Sequence, residues 1–223
     1  MPRKLHFIRT SAPQVCLAVL STAMFCQTHV SSTPVGRWVA EHPSQGGVGS
    51  WWDFRPDGTL TEYVGAIVTV PVTRSGDTLI LPAGTNGAPP SKLQFTVKGD
   101  ALVLSASGTE SSFTRIGPAI SATDPLLGKW KLDRPKVPSP NARLAALEEA
   151  QSKGIYSFNA DGTESVRIPF TSLDGTWNAD THAFKLSGRD VAYSFFLSEG
   201  KLVLGQPPDN KTTDTYLPDP LFR

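Results

Sequence analysis

Sulfur is confined to one end of this chain. Of 223 residues, two are cysteine (Cys16, Cys26) and two are methionine (Met1, Met24). Beyond residue 32 there is no thiol and no thioether. That part of the chain can form no disulfide, run no cysteine chemistry and offer no sulfur to a metal. Histidine is nearly as scarce, with His42 and His182 the two beyond residue 32. They have no metal-binding spacing, and His182 beside Asp180 reads as a surface residue in a turn. No Gly-x-Ser-x-Gly elbow and no Walker loop follows residue 32. The Gly46-Gly47-Val48-Gly49 run precedes no helix that could hold a phosphate. These gaps argue for a protein that is not an enzyme and uses no metal and no cofactor.

Acid is missing before Glu41, whereas Arg3, Lys4 and Arg9 make the start basic. A short apolar run, 15–26, follows. It is shorter than the roughly 20 residues a membrane span needs, so residues 1–32 read as an export signal. Cleavage after Ser32 is expected, with Val30 and Ser32 at the small-residue positions. Phe25, directly before Cys26, is too bulky for a lipoprotein signal, which argues against lipid anchoring. Removing 1–32 lowers Lys+Arg from 21 to 18 against 20 Asp+Glu, a net charge of −2 with histidine neutral. Such a balance with no basic run gives no footprint for nucleic acid or an anionic membrane. The expected location is the periplasm or outside the cell, with no stable membrane insertion.

What the chain has is turns and alternation. It is 39% hydrophobic and 18% charged, with 19 glycines and 19 prolines. That is enough apolar material for packed cores and suits many short strands. One stretch occurs twice: Phe54-Arg55-Pro56-Asp57-Gly58-Thr59 and Phe158-Asn159-Ala160-Asp161-Gly162-Thr163. Asp-Gly between apolar runs signals a tight hairpin with positive φ at the turn. Around each copy the landmarks recur. Gly36-Arg37-Trp38 and Gly128-Lys129-Trp130 open strands, and the hairpin of 92–104 matches that of 191–204. Alternation predicts about eight strands in the first copy, including separate strands over 59–64 and 66–73. In the second it predicts strands over 163–168 and 175–177. Phe54 follows Trp38 by 16 positions and Phe158 follows Trp130 by 28. The additional residues, 141–152, predict one inserted helix. Ser139-Pro140 supplies its start, Gly154 its stop, and Leu144 and Leu147 an apolar stripe.

The fold predicted is all-β: two tandem small antiparallel up-and-down barrels, with one short helix inserted in the second. The divisions are an export signal at 1–32, a first β domain at 33–117, a linker at 118–126 and a second β domain at 127–223.

The Gly-x-Trp openings, the Asp-Gly-Thr hairpins, Gly175-Thr176-Trp177 and the closing hairpins resemble the lipocalin-like domains of exported bacterial proteins. The resemblance spans most of 36–219, in tandem copies. The first copy departs from it, with Val70-Pro71-Val72 where Gly-Thr-Trp would stand. The resemblance implies a barrel with an apolar interior and binding of a small apolar molecule. The candidate ligand-binding residues are Trp38, Trp51, Trp52, Tyr63, Trp130 and Trp177. For Trp38 and Trp130 the favoured alternative is a plug at one barrel end with a hydrogen-bonded indole N–H. Alternation turns either Trp51 or Trp52 outward. An exposed ring beside Tyr63 would be a protein-binding patch. Two functions therefore stand: an exported carrier of a small apolar ligand, or an interaction or envelope module with solid barrels.

Overall fold

A computed structural model describes residues 33–83, 89–135, 137–206, 211 and 213–222. The expected export signal lies outside the described residues. The chain forms β1 (Gly36–Ala40), β2 (Val48–Phe54), β3 (Thr59–Pro71), β4 (Thr73–Ser75), β5 (Thr78–Leu81), β6 (Ser91–Lys98), β7 (Ala101–Ala106) and β8 (Thr109–Ile116). Then come β9 (Gly128–Leu132), α1 (Ala142–Ser152), β10 (Ile155–Phe158), β11 (Thr163–Asn178), β12 (Ala183–Leu186), β13 (Ala192–Ser198), β14 (Lys201–Gly205) and β15 (Thr213–Pro218). A 3-10 turn at Pro220–Phe222 ends the described chain. The fold is mostly β, with eight strands up to residue 116, close to the number expected but not divided at the same places.

All these strands belong to one antiparallel sheet of 15, in the order β12-β13-β14-β15-β1-β2-β3-β11-β10-β9-β8-β7-β6-β5-β4. A further pairing of β11 with β12 closes eight of them into a ring. The ring takes β1, β2 and β3 from the first sequence copy and β11 to β15 from the second. The remaining strands, β10 back to β4, form an arm that leaves the ring at β11. The arm likewise mixes copies: β9 and β10 belong to the second, β4 to β8 to the first. The separate closed sheet expected from each copy is therefore not what the pairing gives.

The physical reason lies in two long strands. Separate strands were expected over 59–64 and 66–73, but β3 runs through without a turn for 13 residues. In the second copy β11 likewise runs for 16 residues through the expected break before Gly175. A strand that does not turn cannot return to its own copy, so β3 pairs along its length with β11. On its other side the first half of each strand pairs within its own copy's opening hairpin, β3 with β2 and β11 with β10.

The copies are related at this ribbon. Asp57 and Asp161 are 104 positions apart (161 − 57), and so are Gly65 and Pro169 (169 − 65). Gly65 and Pro169 are also direct register partners. Equivalent points of the two copies thus face each other there, as at a two-fold axis. The register shifts beside it, between Pro169 and Thr171, where β11 bulges and Phe170 is exposed. Gly65 is required at this crossing: a methyl in its place would overlap the Ile168 carbonyl.

The repeated turns are built alike. Gly58 N–H donates to the Arg55 carbonyl at 3.2 Å and Gly162 N–H to that of Asn159 at 3.1 Å. The glycines alone take positive φ, 81° and 80°, so each turn is a type I turn closed by a left-handed glycine rather than a two-residue hairpin. The Asp57 carboxylate accepts from the Thr59 hydroxyl (2.6 Å) and amide (2.9 Å), and Asp161 does the same with Thr163. Those bonds hold both carboxyls below the usual aspartate range. Each turn is then clasped by the other copy. Trp177 N–H donates to Gly58 O, and Val72 N–H to Gly162 O.

Two interiors result. The ring packs Trp38, Trp52, Phe54, Leu60, Phe184, Leu186, Phe195, Leu202, Leu204 and Tyr216. The arm packs Leu79, Phe95, Leu102, Phe113, Leu126, Trp130 and Phe158. Each fully buried aromatic contributes on the order of 2–3 kcal/mol through apolar burial. The inserted helix starts one residue later than expected. Its N-cap is Asn141, whose side chain accepts from the amides of Arg143 and Leu144. Its expected apolar stripe does not pack, since Leu144 and Leu147 are about half exposed.

Candidate functional site

Period-two alternation decides which side chains enter the ring. On β2 these are Ser50, Trp52 and Phe54. On β3 they are Leu60, Glu62 and Val64, set opposite them by register: Phe54 with Leu60, Trp52 with Glu62, Ser50 with Val64. The two ends of the ring are filled differently. At the end bearing the Asp57-Gly58 turn, Trp177 packs edge-on to Phe54 (6.1 Å) and Phe195 (6.2 Å). Its indole N–H donates to the Arg55 carbonyl at 2.9 Å. Trp38 is 8% exposed and donates to the Pro34 carbonyl at 2.6 Å. His182 sits in the β11–β12 turn with φ 50° and its ring tilted on Phe195.

The other end is open, and a cavity of about 410 Å³ enters it. Trp52, Val64, Phe184, Leu186 and Leu204 give apolar walls. Glu62, Ser50, Tyr216, Tyr193, Arg189 and Asp214 add polar groups. Tyr193 stacks on Phe184 with centroids 5.0 Å apart, and Tyr216 stands edge-on to Trp52 at 6.2 Å. These ring contacts fix the walls with few rotatable bonds free. Ser50 Oγ and the Tyr216 hydroxyl share a hydrogen bond of 2.8 Å. Burial raises the Tyr216 phenol above its ordinary range, and the bond to Ser50 opposes the rise. Burial also raises the Glu62 carboxyl, partly offset by the Arg189 guanidinium. At the rim, Gln206 donates to Asp214 at 2.7 Å.

Of the six sequence candidates, Trp52 lines this cavity. Trp38 and Trp177 plug the ring's far end. Trp130 is fully buried in the arm and donates to the Leu126 carbonyl at 2.8 Å, under the Arg115 guanidinium 4.0 Å from its ring centroid. Trp51 and Tyr63 lie on the outer face of the sheet. Their rings stack at 5.4 Å and 10°, and Trp51 is 6% exposed. The exposed aromatic patch considered for Trp51 is therefore closed over, by Tyr63, Val39 and Ile67. The two rings, with Arg37, Lys153, Ile155, Arg167, Pro169 and Phe222, border a smaller hollow of about 190 Å³.

No family model, no curated protein and no solved structure matches this chain.

Sequence reasoning missed most of the polar lining. Glu62 and Ser50 were legible in part, because both fall on the same alternating face as Trp52. A carboxylate in phase with a buried Trp and Leu is a signal. Tyr193, Arg189, Asp214 and Tyr216 carried none, since they reach the cavity through ring closure by strands from the other copy.

Proposed function

We propose that this protein binds a small, largely apolar molecule in the open end of the eight-strand ring. The observation that carries the reading is the 410 Å³ cavity walled by Trp52, Phe184 and Tyr193. It falls in the size range of small-molecule sites and pairs apolar walls with a few polar groups. The ring is read as a lipocalin-like barrel, and the arm as a second barrel wound around Trp130, with opening strands exchanged between copies. Eight antiparallel strands, a Trp plug after Gly-x-Trp and a closed end opposite an open one support that reading. The basic and apolar leader at 1–32 supports export. An interaction module would need an outward aromatic face at Trp51, and that ring is covered.

Native mass spectrometry of the protein purified from its own host tests the proposal. A co-purifying small molecule is expected, lost on Val64→Phe, which fills the cavity from β3. A chain that carries no added mass and binds no apolar dye would refute it.

A further inference from the structure

The polar groups of the cavity are not arranged at random. Ser50 Oγ and the Tyr216 hydroxyl lie 2.8 Å apart, and both residues border the cavity. Each hydroxyl carries one proton, and one of the two makes the bond between them. The other is left over, on whichever oxygen accepts, and is free to donate elsewhere. Among the described residues the pair makes no further hydrogen bond. The Trp52 indole N–H is buried and has no hydrogen-bond partner among the described residues. The Glu62 carboxyl is on the same wall, one strand over and diagonal to Ser50, and among the described residues it too accepts no hydrogen bond. The wall thus offers one spare donor beside one spare acceptor.

Resting on the reading of this cavity as the ligand site, we infer that its occupant is an uncharged, mainly apolar molecule bearing a hydroxyl or amide that accepts from the Ser50–Tyr216 hydroxyl pair and donates to Glu62. A single hydroxyl can do both. A charged head group suits the wall less well. An anion would meet Glu62 and Asp214, and a cation would meet Arg189, all of which border the cavity. Polar groups left unpaired in a confined site discriminate strongly against a ligand that lacks the partner.

The experiment titrates the native chain with naphthol, methylnaphthalene, naphthoate and naphthylmethylammonium, following tryptophan fluorescence. Naphthol is expected to bind about tenfold more tightly than methylnaphthalene, the worth of one to two modest hydrogen bonds. In the double variant Ser50→Ala/Tyr216→Phe and in Glu62→Leu, each checked for native circular dichroism, that preference should shrink to about twofold. Methylnaphthalene affinity should stay within about threefold of native. Tyr216→Phe alone removes one hydroxyl of the pair but keeps Ser50, and should lose at most part of the preference. Equal binding of naphthol and methylnaphthalene by the native chain would overturn the inference while leaving the cavity as an apolar site. So would tightest binding of naphthoate or of naphthylmethylammonium. If none of the four probes bound, the cavity reading and this inference would fall together.

Discussion

The ring and the arm start from the same repeated turn and diverge within a few residues of it. Beside Asp57-Gly58 the ring has Trp177, clasped to the turn through both its backbone and its indole N–H. Beside Asp161-Gly162 the arm has Val72, which makes the equivalent backbone bond and has no ring to follow it. A hollow of about 170 Å³ remains there, bordered by Val72, Leu79, Phe158, Arg74 and Asp124. At the second residue of the next strand the difference reverses sign. The ring has Leu60, fully buried, where the arm has Glu164. One sequence repeat has thus been used to make a well-plugged ring with an open mouth and a looser arm that holds a half-buried carboxyl. The copies thus share what the common ribbon needs and differ in what fills the interiors.

The largest effect should come from the feature both halves depend on. In Gly65→Ala the new methyl would meet the Ile168 carbonyl, with the Pro169 backbone 2.9 Å away. Neither atom can move without breaking the β3–β11 ladder. A loss of more than about 4 kcal/mol is expected, with ring and arm melting together in a chemical denaturation followed by Trp fluorescence. If the variant melted in two separate steps, ring and arm would be independent.

Trp177→Ala should come next, at about 3 kcal/mol, because it removes a core ring and its hydrogen bond from the ring's closed end. Val72→Trp in the arm is the matching control. It places a ring where the arm has a hollow and should cost far less, read by the shift in thermal midpoint. Equal losses from both would show that the two closed ends do not differ as described.

Glu164 gives the smallest and most conditional effect. Burial pushes its carboxyl from 4.5 up to about 7. A raised acid holds its proton in the folded state after the unfolded chain has lost it. Stability therefore falls as pH rises from about 4.5 to about 7, and the penalty persists above that. Glu164→Gln should be more stable than the native chain near pH 8, by at most about 3 kcal/mol, with no such gain near pH 4. Thermal melts at the two pH values decide it, and a gain that is the same at both would rule out the carboxyl's titration as its source.

Much of this architecture could be read from residues alone. The Asp-Gly-Thr repeats, the Gly-x-Trp openings and the alternation of Lys92 to Leu104 mark strands that exist and pair with their sequence neighbours. The correspondence of Val70-Pro71-Val72 with Gly175-Thr176-Trp177 was also legible, and Val72 and Trp177 do make equivalent bonds. Strand exchange was not. It depends on whether Gly65 begins a turn or lets two backbones cross, and glycine serves both uses. The same blindness hid the candidate site. Trp52 was visible as an inward residue, but half its neighbours come from β12 to β15, beyond the reach of any pattern local to β2.

The exchange of strands is the claim on which ring, arm and cavity all rest, and a crosslink tests it most directly. Val39 on β1 and Leu217 on β15 are register partners. With Cys16 and Cys26 changed to serine, residues 33–223 offer no competing thiol. Val39→Cys with Leu217→Cys should oxidise to an intramolecular disulfide, mapped by peptide mass spectrometry. Val39→Cys with Thr114→Cys, the pair that would meet if the first copy closed on itself, should stay reduced. A disulfide in the second pair and none in the first would contradict the account.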